Sequence, residues 1–234
     1  MIDGILLINK EKGITSYDVI RRLKKILPTK QKIGHAGTLD PFASGLLIIL
    51  LGKGTKLMES IGKLKKKYIV TAEFGYATDT QDPTGIRIYE DKKNVQKTQK
   101  EIEEKIKELF IGNIDQISPS YSAKKIKGKK SYELAREGKD IVLPTKRIFV
   151  QEFNVTHYDW PFIQFEIICS SGTYIRTLIN DLGKSLETFA TAIDLDRIAI
   201  GKYSVKEAFN SQDITMENQD LILAKIINLE DIKL

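Results

Sequence analysis

Gly34-His35-Ala36-Gly37-Thr38-Leu39-Asp40-Pro41-Phe42-Ala43-Ser44-Gly45 runs without a break into Leu46-Leu47-Ile48-Ile49-Leu50-Leu51. The second part is an apolar run bounded by Gly45 and Gly52, too short for a buried helix, and it reads as a strand. The first part packs glycines, a histidine and an aspartate into a loop. Taken alone, Asp40-Pro41 reads as a helix start, with Asp as the N-cap and Pro at the first helical position. His35 taken alone reads as a structural histidine.

Outward from this stretch, Gly4–Asn9 reads as a short buried strand, and Ser16 as the cap of a helix reaching about Ile26 with Val19, Ile20 and Leu23 on its apolar face. Tyr68, Val70, Ala72 and Phe74 alternate with Ile69, Thr71 and Glu73, the period of a half-buried strand. Thr78–Gly85, rich in Asp, Thr, Pro and Gly, is a turn. Ile102, Ile106, Leu109 and Phe110 recur at helical spacing, Ile148–Val155 and Phe162–Cys169 read as strands, and Ile175, Leu178, Ile179, Leu182 and Leu186 mark an amphipathic helix. Strands and helices so intermixed predict a mixed α/β or α+β sheet domain. No repeat or linker divides the 234 residues, so one domain spanning 1–234 is expected.

Composition narrows the chemistry. Hydrophobic residues make up 41% and charged residues 29%, which excludes disordered and fibrous classes. The longest apolar run falls far short of the roughly 20 residues that span a bilayer, and no signal peptide is evident, so a cytoplasmic protein without membrane partners is expected. One cysteine, Cys169, and two histidines, His35 and His157, exclude an internal disulfide and a Cys/His zinc cluster. Cys169, inside an apolar strand, reads as core. Gly52-Lys53 has Leu47 where a phosphate loop needs glycine, so the nucleotide-hydrolysis signature is absent.

The net charge is +6, and the segment Ser118–Arg147, with nine basic and three acidic residues, carries an excess equal to all of it. This glycine-interrupted segment reads as an insertion projecting from the sheet. Lys63, Lys65, Lys66 and Lys67 form a second basic run, and Arg21, Arg22, Lys24 and Lys25 a third. A polyanion is the natural partner, and Tyr121 and Tyr132 add surfaces on which bases can stack. The plainer reading of each run is a solvated face.

The Gly34–Gly45 stretch closely resembles the catalytic motif of the TruB family of bacterial tRNA pseudouridine-55 synthases. The likeness continues through Lys66-Lys67-Tyr68, Thr78-Asp79-Thr80 with Asp82 and Gly85, and Ser118-Pro119-Ser120-Tyr121-Ser122-Ala123. It runs on through Gly128, Tyr132, Ala135-Arg136 and Gly138 to Gly172-Thr173-Tyr174-Ile175-Arg176 with Asp181-Leu182-Gly183. The motifs cover nearly the whole chain in family order.

The resemblance implies an α+β fold with a central mixed, largely antiparallel sheet flanked by helices. It implies isomerisation of uridine 55 in the tRNA T-loop: the N1–C1′ bond breaks, the base turns, and C5 bonds to C1′, with no cofactor. Asp40 takes the place of the catalytic carboxylate, which can serve as nucleophile or base. Pro41 biases it away from the α region and the glycines permit tight geometry. Arg176 matches the arginine that pairs with that aspartate, and Tyr68 the tyrosine that stacks on the target base. Tyr174 shapes the same pocket, Leu195 packs beside the base, and Lys10 lies near the site. A uridine within a folded loop must be flipped out to be reached. His35 matches the histidine that fills the vacated space, and the basic insertion, with Lys127, Lys129 and Lys130, matches the segment that grips the RNA. The implied partner is the tRNA T-arm, bound by a monomer without guide RNA.

The sequence departs from the family pattern at three places. Glu11 replaces the usual proline after Lys10, Asp196 stands where a basic residue is common, and the chain ends at Leu234, about where longer members begin a C-terminal PUA domain. A single catalytic domain without that module is the expectation. The alternatives are an RNA-binding or tRNA-folding protein without catalysis, and the catalytic subunit of a guide-RNA-dependent pseudouridine synthase.

Overall fold

The computed structural model describes residues 2–28, 30–91, 95–121, 125–126, 129–130 and 143–232. In chain order its elements are β1 (Gly4–Lys10), α1 (Ser16–Ile26), β2 (Ile33–Ala36), β3 (Ser44–Leu51), α2 (Met58–Lys63), β4 (Lys66–Phe74), β5 (Tyr76–Thr78), β6 (Arg87–Glu90), α3 (Gln99–Leu109) and β7 (Gly112–Ile117). There follow β8 (Lys125–Ile126), β9 (Lys129–Lys130), β10 (Thr145–Asp159), β11 (Phe162–Cys169), α4 (Ile175–Ser185), β12 (Ala190–Ile200), β13 (Tyr203–Ser204), β14 (Phe209–Asn210) and α5 (Gln219–Ala224). A mixed ten-stranded sheet with helices makes this an α+β fold. The chain divides into two compact units, one of residues 1–69 and 195–234, the other of residues 70–194.

In the first unit the strand order is β14-β1-β3-β12-β4, with β2 also on β3 and β13 on β12. β1 and β3 pair antiparallel from Gly4↔Leu51 to Lys10↔Gly45, and β12 joins β3 parallel through Asp196↔Ser44 and Arg197↔Gly45. One face of β1 and β3 (Leu6, Ile8, Leu47, Ile49, Leu51) packs on Val19, Ile20, Leu23 and Ile26 of α1. The opposite face (Ile5, Leu7, Leu46, Ile48, Leu50) packs on Ile61, Ile200 and Tyr203. Burial on both faces explains why these strands are apolar at nearly every position instead of alternating. Each such side chain contributes about 1.5–3 kcal/mol.

α1 starts one residue earlier than its apolar pattern suggests. Thr15 is the N-cap, in a capping box with Asp18, and Ser16 is buried inside the first turn. Lys66 also departs from the reading of its run as solvent-facing: it is buried, and its ammonium donates to the carbonyls of Gly62 and Leu64.

In the second unit the order is β12-β4-β11-β10-β7. β4 alternates as the sequence predicts, with Val70, Ala72 and Phe74 buried. Phe110, Phe153 and Phe165 form an edge-on aromatic chain, with centroids 6.2 and 5.2 Å apart. Leu109 is 44% exposed, so the apolar face of α3 is carried by Ile102, Ile106 and Phe110. Thr145–Arg147, counted above with the basic insertion, belong to β10, where they pair with Asp115–Ile117 of β7. Ser118 N–H bonds to Pro144 O at 3.1 Å where the two strands part. The greater part of the segment between them lies outside the described residues. Cys169 is fully buried in β11.

Candidate active site

The loop between β2 and β3 carries Asp40. It contains no helix: Ala43 N–H bonds to Asp40 O at 3.1 Å, closing a β-turn with Pro41 at its second position. Asp40 is therefore the first residue of a tight turn, and the helix-cap reading of Asp40-Pro41 is overturned. The rigid φ of Pro41 suits that turn position as well as it suits a helix start, which is why the dipeptide alone misleads.

Groups from outside the loop grip it by its main chain. The Ser16 hydroxyl accepts from Leu39 N–H at 2.9 Å and donates to Leu39 O at 3.2 Å. Gly13 N–H bonds to Pro41 O at 2.8 Å. Lys10, fully buried, donates to Ala43 O at 2.6 Å, Glu11 O at 2.8 Å and Ile14 O at 2.9 Å. Burial lowers its pKa to about 8 against the opposing pull of Glu11 and Asp40, and Arg197 adds to the lowering. Arg197 is 2% exposed. Its Nε donates to Leu46 O at 2.7 Å, its Nη2 to Gly37 O at 2.9 Å and its Nη1 to Thr38 O at 3.4 Å.

The Glu11 departure is accommodated locally. Its carboxylate pairs with Arg22 at 2.8 Å and its N–H bonds to the Ser211 hydroxyl at 3.0 Å. His35 lies on β2, half-buried, its Nδ1 enclosed with no hydrogen-bond partner among the described residues. Burial first, and the Arg197 charge second, hold its pKa below the ordinary histidine value, so the ring is neutral at pH 7. Tyr68 and Leu195 are buried at 8% and 5% exposure on β4 and β12. Lys10, His35, Asp40, Tyr68 and Leu195 thus all belong to the first unit.

Tyr174 and Arg176 belong to the second. Arg176 is buried. Its Nη1 donates to Thr80 O at 2.8 Å and lies 3.9 Å from the Asp82 carboxylate, and its Nη2 donates to Tyr121 O. Asp82 holds the turn beneath it by accepting from the Thr80 hydroxyl at 2.7 Å and from Thr84 N–H at 2.9 Å. Gln116, buried in β7, fixes Tyr174 by accepting from its N–H at 2.8 Å and donating to its carbonyl at 3.0 Å. Of the cations assigned to RNA gripping, Lys127 lies outside the described residues. Lys129 and Lys130 are described as the backbone of β9, paired with β8.

Sequence reasoning assigned no site role to Arg197, Gln116 or Gly13, and read Ser16 only as a cap. The one available signal was Arg197's place two residues after Leu195.

The arrangement, a carboxylate on a tight turn with its loop tied down along its length, suits acid–base or nucleophilic work on a bound substrate. Residues 24–175 match the family model described as TruB family pseudouridylate synthase, N-terminal domain. The chain belongs to this family. A TruB-family relative, the tRNA pseudouridine synthase B of Caldicellulosiruptor saccharolyticus, is 43% identical over 236 residues, covering 99% of this chain and 80% of its own. That of Fusobacterium nucleatum is 46% identical over 205 residues, covering 88% and 70%. That of Endomicrobium trichonymphae is 41% identical, covering 97% of each. Among solved structures, one of a Cbf5-Nop10-Gar1 complex superposes with a TM-score of 0.72 at 22% identity, covering 97% of this chain and 60% of that one. This likeness is one of fold. Among the described residues no group of His, Cys, Asp and Glu is placed to hold a metal, and no helix is long and apolar enough to cross a membrane.

Proposed function

We propose that this TruB-family isomerase converts uridine 55 of the tRNA T-loop to pseudouridine, with Asp40 as the catalytic carboxylate. The observation that carries the reading is the Asp40 turn, gripped through its main chain by Lys10, Gly13, Ser16 and Arg197. Such a grip fixes where a carboxylate stands, which is what proximity catalysis requires.

The remaining roles follow the family motifs. Tyr68 stacks on the extruded base with Leu195 beside it, and Arg176 and Tyr174 complete the set. A neutral His35 fills the space the base leaves, because an uncharged imidazole enters an RNA stack at lower desolvation cost than a cation. Lys127, Lys129 and Lys130 meet phosphates. The same reading takes the working unit as a monomer on the T-arm without guide RNA.

The test is pseudouridine mapping in unmodified tRNA incubated with purified protein, for wild type and Asp40→Asn. The expected result is modification at position 55 by wild type and none by a folded Asp40→Asn protein that still binds tRNA. Modification by that variant would refute the role of Asp40, and modification at another position would refute the assigned target.

A further inference from the structure

Arg197, like Lys10, is a buried cation that donates to neutral main-chain oxygens, and its guanidinium alone reaches both ends of one loop. A cation withdrawn from water is costly unless its donors are satisfied, and here three donors on three different nitrogens go to Leu46, Gly37 and Thr38. Gly37 and Thr38 precede Asp40, whereas Leu46 follows Gly45 in β3. One planar group therefore ties together the two ends of the loop that carries Asp40. The backbone of Arg197 is itself pinned, since β12 pairs with β3 at Arg197↔Gly45. Gly45 has φ +107°, and a Cβ there would lie 2.5 Å from Arg197 O and 2.6 Å from Arg197 N, so the approach requires glycine.

We propose that Arg197 is a positioning residue for the reaction: its forked guanidinium closes the Asp40 loop at both ends and sets where the carboxylate stands. The inference rests on Asp40 being the catalytic carboxylate. It needs the fork and not merely the charge, because a lysine ammonium is a single point on a flexible stem and cannot serve both ends of the loop in one plane. Displacement of a reacting group by about 1 Å can cost on the order of a hundredfold in rate. The defect should appear in kcat, since the grip acts on the carboxylate's loop and leaves the RNA-gripping cations untouched.

The experiment compares Arg197→Lys and Arg197→Met with wild type and Asp40→Asn. kcat and KM are measured for tRNA modification, tRNA affinity by filter retention, and folding by circular dichroism at the assay temperature. Expected are folded Arg197 variants with kcat reduced tenfold or more, KM within about twofold, and no rescue by lysine. Wild-type kcat in Arg197→Lys would overturn the proposal, because charge alone would then suffice. A rise in KM at constant kcat would overturn it in favour of an RNA-binding role. Failure of both variants to fold would make Arg197 a stability residue and overturn it as well. Should Asp40→Asn keep turnover, the reading of Asp40 falls. An inactive Asp40→Asn beside a fully active Arg197→Lys sinks only the present inference.

Discussion

Replacing Lys10 by Met removes a buried ammonium whose proton is held less tightly in the folded chain than in the unfolded one. Burial lowers the pKa from 10.5 to about 8, against the attraction of Glu11 and Asp40. Below pH 8 both folded and unfolded chains carry this proton, so it adds no pH dependence. Between pH 8 and 10.5 the unfolded chain keeps the proton and the folded chain has released it, and stability therefore rises with pH across that window. At 1.36 kcal/mol per tenfold change in proton affinity, the rise is at most about 3 kcal/mol. Methionine removes this dependence and leaves Ala43 O without its donor at every pH, a cost of about 1–3 kcal/mol. The assay is urea unfolding of wild type and Lys10→Met from pH 7 to 10.5, taking the difference so that the other lysines cancel. The wild-type advantage should be flat below pH 8 and grow above it. A difference that stays flat or shrinks up to pH 10.5 would show that the three carbonyls hold the ammonium more strongly than burial expels it, refuting the argument.

Ser16→Ala should cost about 1–3 kcal/mol in urea unfolding, because Leu39 N–H is left buried without an acceptor; a change below 0.5 kcal/mol would show that the loop relaxes to recover the bond. Gly45→Ala combines an unfavourable φ with a clash against the Arg197 main chain and should cost roughly 2–6 kcal/mol, read as a lowered melting temperature. Replacing Lys127, Lys129 and Lys130 together should weaken tRNA binding and flatten its salt dependence by roughly one log–log unit per lost phosphate contact, with kcat little changed. An unchanged salt slope would show those lysines to be a solvated face.

The elements that sequence periodicity located were those with a strong local pattern. β11 occupies Phe162–Cys169 as read, and β4 alternates as its sequence does. Periodicity failed where a residue's surroundings come from elsewhere. Leu109 has helical spacing with Ile102 and Ile106 yet ends the helix facing solvent. Lys66 and Lys10 carry the charge of surface residues, but each lies where nearby carbonyls can take up a buried ammonium. Asp40-Pro41 fits a helix start and a β-turn equally well on dipeptide preference. The chain's return through Gly13, Ser16 and Arg197, which no local window contains, is the turn's setting in the fold.

The chemistry of the contacts accounts for a legible motif with illegible support. The grip on the Asp40 loop falls on main-chain atoms: the carbonyls of Gly37, Thr38, Pro41, Ala43 and Leu46, and both polar groups of Leu39. Main-chain acceptors are identical at every residue, so nothing in the loop's own sequence announces which positions are held. Of the gripping residues only Lys10 is reached through the family motifs; Gly13 and Ser16 lie close to it in the chain, but nothing in their local pattern ties them to Arg197 or to the loop they hold. They become informative only through burial. Two cations fully withdrawn from water and committed to neutral oxygens are an expensive way to stabilise a fold, because apolar residues of similar size often do as well. Their placement along a loop bearing a turn-borne carboxylate is accounted for if the expense secures position, with the donors fixing the backbone from residue 37 to 46 on both sides of Asp40.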